Sequence, residues 1–306
     1  MRVLITGGGG FIGTSLTKHL MARGGYTVTA LDDESLGSGA PARELGAAFV
    51  KGDIRDADLM GRLAGEAEVI VHLAADTRVM DSIADPARNF DINVVGTFRV
   101  LQAARAAGVR RVISASTGGA ILGEAPPPVN EDMPARPLAP YGAAKLAAEG
   151  YCSAFAGAYG LATASLRFSN IYGPLSFHKG SVVAHFFKRI LAGEDLVVYG
   201  DGSQKRDFLY AGDLVEGIRR AMESEATGVF QLGSGIGTTV GDLIELMRTT
   251  VGADHPVNVR HEDFRDGEIR ETWCDISKAR RELGFEPSTP LAGGLAETWA
   301  WFRENR

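Results

Sequence analysis

Four consecutive glycines, Gly7–Gly10, follow directly on the apolar stretch Arg2–Thr6, and Phe11, Ile12, Leu16 and Leu20 then recur at helical spacing. Strand, glycine turn and amphipathic helix in that order leave few folds open. Gly7, Gly10 and Gly13 have the spacing G-x-x-G-x-x-G. Such glycines permit a tight turn and let backbone approach a pyrophosphate, which the free N–H groups and positive dipole at a helix N-terminus attract. Asp32 closes the second strand, Tyr26–Leu31. It lies about 20 residues past the glycines, where a carboxylate accepts hydrogen bonds from ribose hydroxyls and repels a 2′-phosphate. No Arg immediately follows, so the expected cofactor is NAD rather than NADP. Asp53, after a third strand Ala47–Lys51, falls where it would sit near the adenine.

The alternation continues. The pattern predicts a helix over Asp56–Gly65 with Asp56 as its N-cap, a strand Val69–Leu73, a helix over 85–107 and a strand Arg111–Ser116. An Ala-rich helix Ala139–Tyr159, stopped by Gly160, and a strand Leu161–Phe168 follow. Strands that alternate with helices and read as continuous apolar runs make a parallel sheet covered on both faces. The expected fold class is therefore α/β: a Rossmann-type doubly wound parallel sheet over residues 1–170. Residues 171–306 form a smaller α/β lobe that rejoins the main sheet near 228–234. Helices at 181–192, 213–223, 275–283 and 291–304 and apolar runs at Leu196–Tyr199 and Val229–Leu232 fill that half.

Two residues in this frame carry chemistry. Tyr141 and Lys145 lie four apart at the start of the Ala-rich helix, and hence on one face. A free tyrosine, with a pKa of about 10, is a poor base at neutral pH. A nearby ammonium, or an oxidised nicotinamide ring, favours the phenolate and lowers that value. The pair suits proton relay during oxidation of an alcohol. Composition narrows the remainder. A net charge of −6 with no basic run argues against a nucleic-acid surface. Two cysteines without a C-x-x-C pattern point away from metal or disulfide chemistry and towards a reducing, cytoplasmic setting. Met1 leads straight into a strand with no leader pattern, and no apolar run reaches membrane-spanning length.

The chain resembles the extended short-chain dehydrogenases/reductases of the NAD-dependent epimerase/dehydratase family, most of all its UDP-glucose 4-epimerase-like members. The matching segments are Thr6–Gly13, Gly52-Asp53-Ile54, His72–Ala75, Asn93 with Gly96-Thr97, Ser114–Gly123, Tyr141–Lys145, Arg167–Pro174, Tyr199–Gly202, Arg206–Phe208, and 265–268 with Asp275–Lys278. The resemblance implies that Phe11, Ile12, Asp53, Ile54, Leu73, Ala74, Ala75, Asn93 and Ser114 join the glycines, Asp32, Tyr141 and Lys145 around NAD. It places Thr77, Thr117, Gly118, Asn170, Lys179, Val182, Tyr199, Arg206 and Arg265 at a nucleotide-sugar, with Tyr199 by the nucleobase and the two arginines on the diphosphate. It also implies a homodimer packed through the Tyr141 helix and the helix before it.

Two positions depart from the family pattern. The usual hydroxyl residue after the fifth strand becomes Gly118, which leaves Thr117 as the expected helper and Ser116 on the cofactor side or in the core. Leu122 replaces a usual aromatic. Relatives that dehydrate their sugar resemble one another in an Asp-Glu pair after the catalytic Thr, and decarboxylating relatives have a Glu nearby. Gly118-Gly119-Ala120 offers neither. The expected reaction is NAD-dependent 4-epimerisation of a UDP-sugar through a 4-keto intermediate. UDP-glucose/UDP-galactose and UDP-glucuronate/UDP-galacturonate both stay open, since Arg78, His178 and Lys179 could meet a carboxylate. A 4,6-dehydratase, a 4-keto-sugar reductase and a non-catalytic NAD sensor are the alternatives.

Overall fold

The computed structural model describes residues 1–264 and 269–305. The first half runs β1 (Arg2–Thr6), α1 (Phe11–Arg23), β2 (Thr27–Asp32), α2 (Ala40–Glu44), β3 (Ala48–Lys51), α3 (Ala57–Gly65), β4 (Val69–His72), α4 (Val79–Ala84), α5 (Pro86–Phe90), a π-helical turn (Asp91–Val95), α6 (Gly96–Ala106), β5 (Arg111–Thr117), α7 (Pro140–Tyr159) and β6 (Ala162–Phe168). The second half runs β7 (Asn170–Tyr172), α8 (Val182–Ala192), β8 (Leu196–Tyr199), β9 (Lys205–Arg206), β10 (Phe208–Tyr210), α9 (Ala211–Glu223), β11 (Gly228–Leu232), β12 (Thr238–Thr239), α10 (Val240–Val251), β13 (Val259–Glu262), α11 (Ser277–Leu283) and α12 (Leu291–Glu304).

Seven strands form one parallel sheet in the order β3-β2-β1-β4-β5-β6-β11. Chain order reverses between β1 and β4, which opens a crevice at the carboxyl ends of those strands. One face buries Leu16 and Leu20 of α1, Ile218 and Met222 of α9 and Ala279 of α11. The other buries Leu59 and Met60 of α3, Val100 and Leu101 of α6 and Phe155 of α7. A third core, with Phe187, Leu196, Met247, Trp299 and Phe302, holds α8, β8, α10 and α12 together. Pairings β7–β10, β9–β12 and β8–β13 brace that lobe.

Local chemistry sets the ends of these elements. Asp56 caps α3 by accepting the Leu59 N–H at 3.0 Å. Gly160 ends α7 in the left-handed region at φ 69°. The single helix expected over 85–107 is instead three pieces. Pro86 opens α5, whose first turn Asp85 caps through the Arg88 N–H at 3.0 Å, and the turn Asp91–Val95 widens before α6. Wide turns of this kind are common at functional sites, and this one carries Asn93.

Candidate active site

At the cofactor end, Gly7 has φ +71°, and a Cβ there would stand 2.6 Å from the Ala74 nitrogen. A Cβ on Gly13 would stand 2.3 Å from the Gly7 oxygen. No other residue fits a turn this tight, and Phe11, Ile12 and Gly13 open α1 with N–H groups the helix itself leaves free. The Asp32 carboxylate accepts the Gly9 N–H at 3.0 Å and the Glu34 N–H at 2.8 Å. Burial pushes its pKa up, and those two N–H groups oppose the rise. This cradle and its acid fit a dinucleotide. Asp53 is drawn into an ion pair with Arg55 at 2.5 Å, which holds its carboxyl below the usual range, and Arg55 also bonds Asp91. Asp53 thus pins the turn after β3, and Ile54 is buried beside Gly96.

Leu73, Ala74 and Ala75 leave β4 half-buried at the crevice. Behind them runs a buried chain of hydrogen bonds. The Thr97 hydroxyl donates to the Asn93 carbonyl at 2.6 Å, so its oxygen accepts from His72 Nε2 at 3.0 Å. His72 Nδ1 then accepts the Thr6 hydroxyl at 2.7 Å, and the Thr6 oxygen takes the Ala74 N–H at 3.4 Å. Burial holds the His72 pKa down to about 3, so the ring is neutral. Asn93 spends its amide on Asp76, accepting the N–H at 2.9 Å and donating to the carbonyl at 2.8 Å. Asn93 therefore reaches the crevice through the 74–76 backbone. Thr77 is exposed on the same loop.

Tyr141 opens α7, its N–H bonded to Ser82 Oγ at 3.2 Å. Lys145, one turn on, donates from Nζ to the Ala115 carbonyl in β5 at 3.0 Å. Burial lowers its pKa to about 8. The lowered phenol expected from the Tyr–Lys spacing is not what the protein alone provides. Burial, with the Asp76 charge, pushes Tyr141 up to about 12, and the ammonium is turned to Ala115 instead. Glu149, another turn along the same face, forms a buried ion pair with Arg167 at 2.8 Å and accepts the Ser116 hydroxyl at 2.6 Å. Ser116 is thus a core residue. Ser114, expected at the cofactor, lies mid-strand with its hydroxyl on the buried Cys152 thiol, because even positions of β5 face α7. Thr117 ends β5, half-buried, and accepts the Ala120 N–H at 3.4 Å. Gly118 is buried beside it.

Across the crevice, Asn170 bonds the Asp207 carbonyl from its backbone at 2.9 Å and its amide at 3.2 Å. Asp207, inside the matched segment Arg206–Phe208, was given no role from the sequence. Fully buried, it gathers Ser234, Gly235 and Cys274 onto its carboxylate and so joins three loops of the lobe. Tyr199 ends β8, and Arg206 lies in β9 with Nη1 on the Lys205 and Arg270 carbonyls at 2.9 and 3.2 Å. Val182 begins α8, and Lys179 precedes it, its pKa lowered by burial and by the charge of Arg78. Arg265 lies outside the described residues.

A family model for the NAD dependent epimerase/dehydratase family matches residues 3–233. A UDP-glucose 4-epimerase of Mycolicibacterium smegmatis is 40% identical over 315 residues, covering 99% of each chain. The UDP-glucose 4-epimerase of Thermotoga maritima, solved with UDP-glucose, superposes with a TM-score of 0.93 at 37% identity over 99% of each chain. That of Thermus thermophilus, solved with NAD, superposes with a TM-score of 0.92 at 34% identity over the whole of both chains.

Proposed function

The chain belongs to the NAD dependent epimerase/dehydratase family, and from that premise we propose that it is an NAD-dependent 4-epimerase of a UDP-sugar, UDP-glucose/UDP-galactose before UDP-glucuronate/UDP-galacturonate. One observation carries the reading. Tyr141 and Lys145 share a helix face at the strand-end crevice, and the segment from Thr117 through Gly118 and Gly119 brings no carboxylate to them. A proton relay to which that segment adds no acid or base suits reversible oxidation at one carbon rather than elimination of water.

NAD, held by the glycine turn, Asp32 and the 73–75 wall, supplies a reversible hydride acceptor for C4 of the sugar. Tyr141 takes the 4-hydroxyl proton as C4 is oxidised and returns it after the 4-keto sugar has turned over in the pocket. Lys145 keeps positive charge one turn away, and Thr117 positions the hydroxyl. Asn170, Lys179, Val182, Tyr199, Arg206 and Arg265 hold the nucleotide and its diphosphate, for which an Arg fork suits paired oxygens. The uronate stays the second reading, since Arg78, His178 and Lys179 could meet its carboxylate.

Purified protein incubated with UDP-glucose and no added NADH should accumulate UDP-galactose, read by anomeric proton NMR. A panel with UDP-glucuronate separates the two sugars. No exchange of any nucleotide-sugar removes the reading, and net NADH consumption or loss of water would replace it with a reductase or dehydratase. We further propose a cytoplasmic homodimer. Both cysteines are free thiols, no helix among the described residues is long and apolar enough to cross a membrane, and α7 exposes Tyr151 and Tyr159 beside a stripe of small residues.

A further inference from the structure

Glu149 stands one turn beyond Lys145 on α7, so Tyr141, Lys145 and Glu149 recur at four-residue spacing along one face. The proposed mechanism uses the first two. Glu149 is buried, and so is its partner Arg167. The guanidinium grips the carboxylate as a fork, Nε to Oε1 at 2.9 Å and Nη2 to Oε2 at 2.8 Å. Ser116 donates its hydroxyl to Oε1 at 2.6 Å. Ser116 of β5 and Arg167 of β6 are register partners, so one carboxylate ties α7 to two neighbouring strands. One turn back along the helix, Lys145 Nζ donates to the Ala115 carbonyl at 3.0 Å. Two successive turns of α7 thus hold two successive residues of β5.

Stability is a poor account of this arrangement. Taking two charges out of water costs about as much as their attraction returns, and a buried pair often adds nothing over apolar side chains of the same volume. The buried face of α7 points to another role. Gly142, Ala144, Ala148 and Cys152 on that face are small, and Phe155, a large residue, lies towards the far end of the helix. Small side chains form shallow ridges that resist sliding or rolling weakly. The tolerance at the catalytic end is nevertheless narrow. A Cβ on Gly142 would stand 2.1 Å from the Ala120 oxygen, and the Ala120 N–H in turn bonds Thr117 Oγ1 at 3.4 Å. A shift of α7 there would displace Tyr141, Lys145 and the turn after Thr117 together.

We propose that Glu149 is a positioning residue for oxidation of the sugar, whose contacts with Arg167 and Ser116 set where Lys145 and Tyr141 stand against the end of β5. This rests on reading that pair as the proton relay of a 4-epimerase. A displacement of about 1 Å at a reacting group can cost roughly 10²-fold in rate, so a fixed helix register matters far more to turnover than to folding.

The test removes the ion pair as a neutral unit. Glu149→Leu combined with Arg167→Met leaves no unpaired charge, so the double variant should fold with a Tm near the wild-type value. Its kcat for exchange of UDP-glucose should fall about 10- to 100-fold with KM nearly unchanged, and it should still retain NAD. In its crystal structure the Lys145 ammonium should have left the Ala115 carbonyl. Ser116→Ala, which keeps the ion pair, should lower kcat about three- to tenfold, in the range of one hydrogen bond, and serves if the double variant fails to fold. Wild-type kcat in both variants, a fall in kcat no larger than the loss of folded protein, or a Lys145 that has not moved in the double variant overturns the proposal. A wild-type protein that exchanges no sugar would instead sink the epimerase reading, and the position of Lys145 in the double-variant crystal would still decide the role of Glu149.

Discussion

At the scale of single residues, the catalytic pair stands in tension with the fold that holds it. Tyr141 must lose a proton to act as a base, yet burial pushes it up to about 12. Lys145 must carry charge, yet burial brings it down to about 8. Both shifts follow from burial of the pair, and the positive nicotinamide ring of a bound NAD would relieve the first while deepening the second. Tyr141→Phe should therefore lower kcat by roughly 10²–10⁴-fold while the protein still retains NAD, which mass spectrometry of the released cofactor checks. Lys145→Met should abolish activity and also stabilise. The sign follows from the shift: between about 8 and the ordinary lysine value the unfolded chain binds the proton and the folded one does not, so stability rises with pH through that window. Below about 8 the buried ammonium destabilises the fold, and its removal should raise Tm by roughly 2–4 °C at pH 7. An unchanged or lower Tm would count against this balance. Spacing alone placed Tyr141 and Lys145 on one face. It could not give the direction of the Tyr141 shift, because burial and the approach of Asp76 belong to the folded chain.

Elements carry the next level of the argument. The central parallel strands were legible because they are buried on both faces, as β4 is with its run Val69–Val71, whereas the edge strand β3 is only half-buried. β7 and β10 were not legible: three residues each, they acquire their identity only by pairing with one another. α10 had a readable start, Thr239 accepting the Asp242 N–H at 2.9 Å ahead of buried Leu243, Ile244 and Met247, yet it was missed. Asp207 stood inside the matched segment Arg206–Phe208, but its role could not be read there, since it depends on loops far apart in sequence. The chain Thr6–His72–Thr97–Asn93 shows what such cross-element contacts do, joining β1, β4, the π-helical turn and α6 behind the 74–76 wall. It also predicts acid sensitivity. With His72 at about 3 in the fold and near 6.5 when unfolded, the unfolded chain binds the extra proton between those values. The stability present above about 6.5 is lost as pH falls towards 3, by about 2 kcal/mol at pH 5. Tm should fall more steeply between pH 6.5 and pH 5 in the wild type than in His72→Gln. Parallel profiles would mean that His72 is not the titrating group.

For the whole molecule, the unresolved matter is what covers the outer faces of α4, α5 and α7. Met80, Ile83, Phe90, Tyr151 and Tyr159 are 73%, 54%, 56%, 41% and 54% exposed, a concentration of large apolar side chains on helices that flank the catalytic end of α7. Along α7 they border Ala143, Gly150, Ala154 and Ala158, all exposed, and small residues let a second helix approach closely. The tyrosines are not loose. Tyr151 packs edge-on against Phe98 at 5.3 Å, and Tyr159 lies against Phe155 at 5.1 Å with Arg105 over its ring at 4.1 Å. Rings fixed in this way lose little entropy on being buried by a partner. Tyr151→Arg would put a charge on a surface that a second copy must desolvate, and should shift a dimer to monomer in light scattering at micromolar concentration. The same helix carries Tyr141 and Lys145, so the monomer should also lose sugar exchange through looser positioning of that pair, with the wild-type rate regained at protein concentrations that restore the dimer. A wild-type protein that is already monomeric and fully active would place the function in one chain and leave the exposed helices to some other partner.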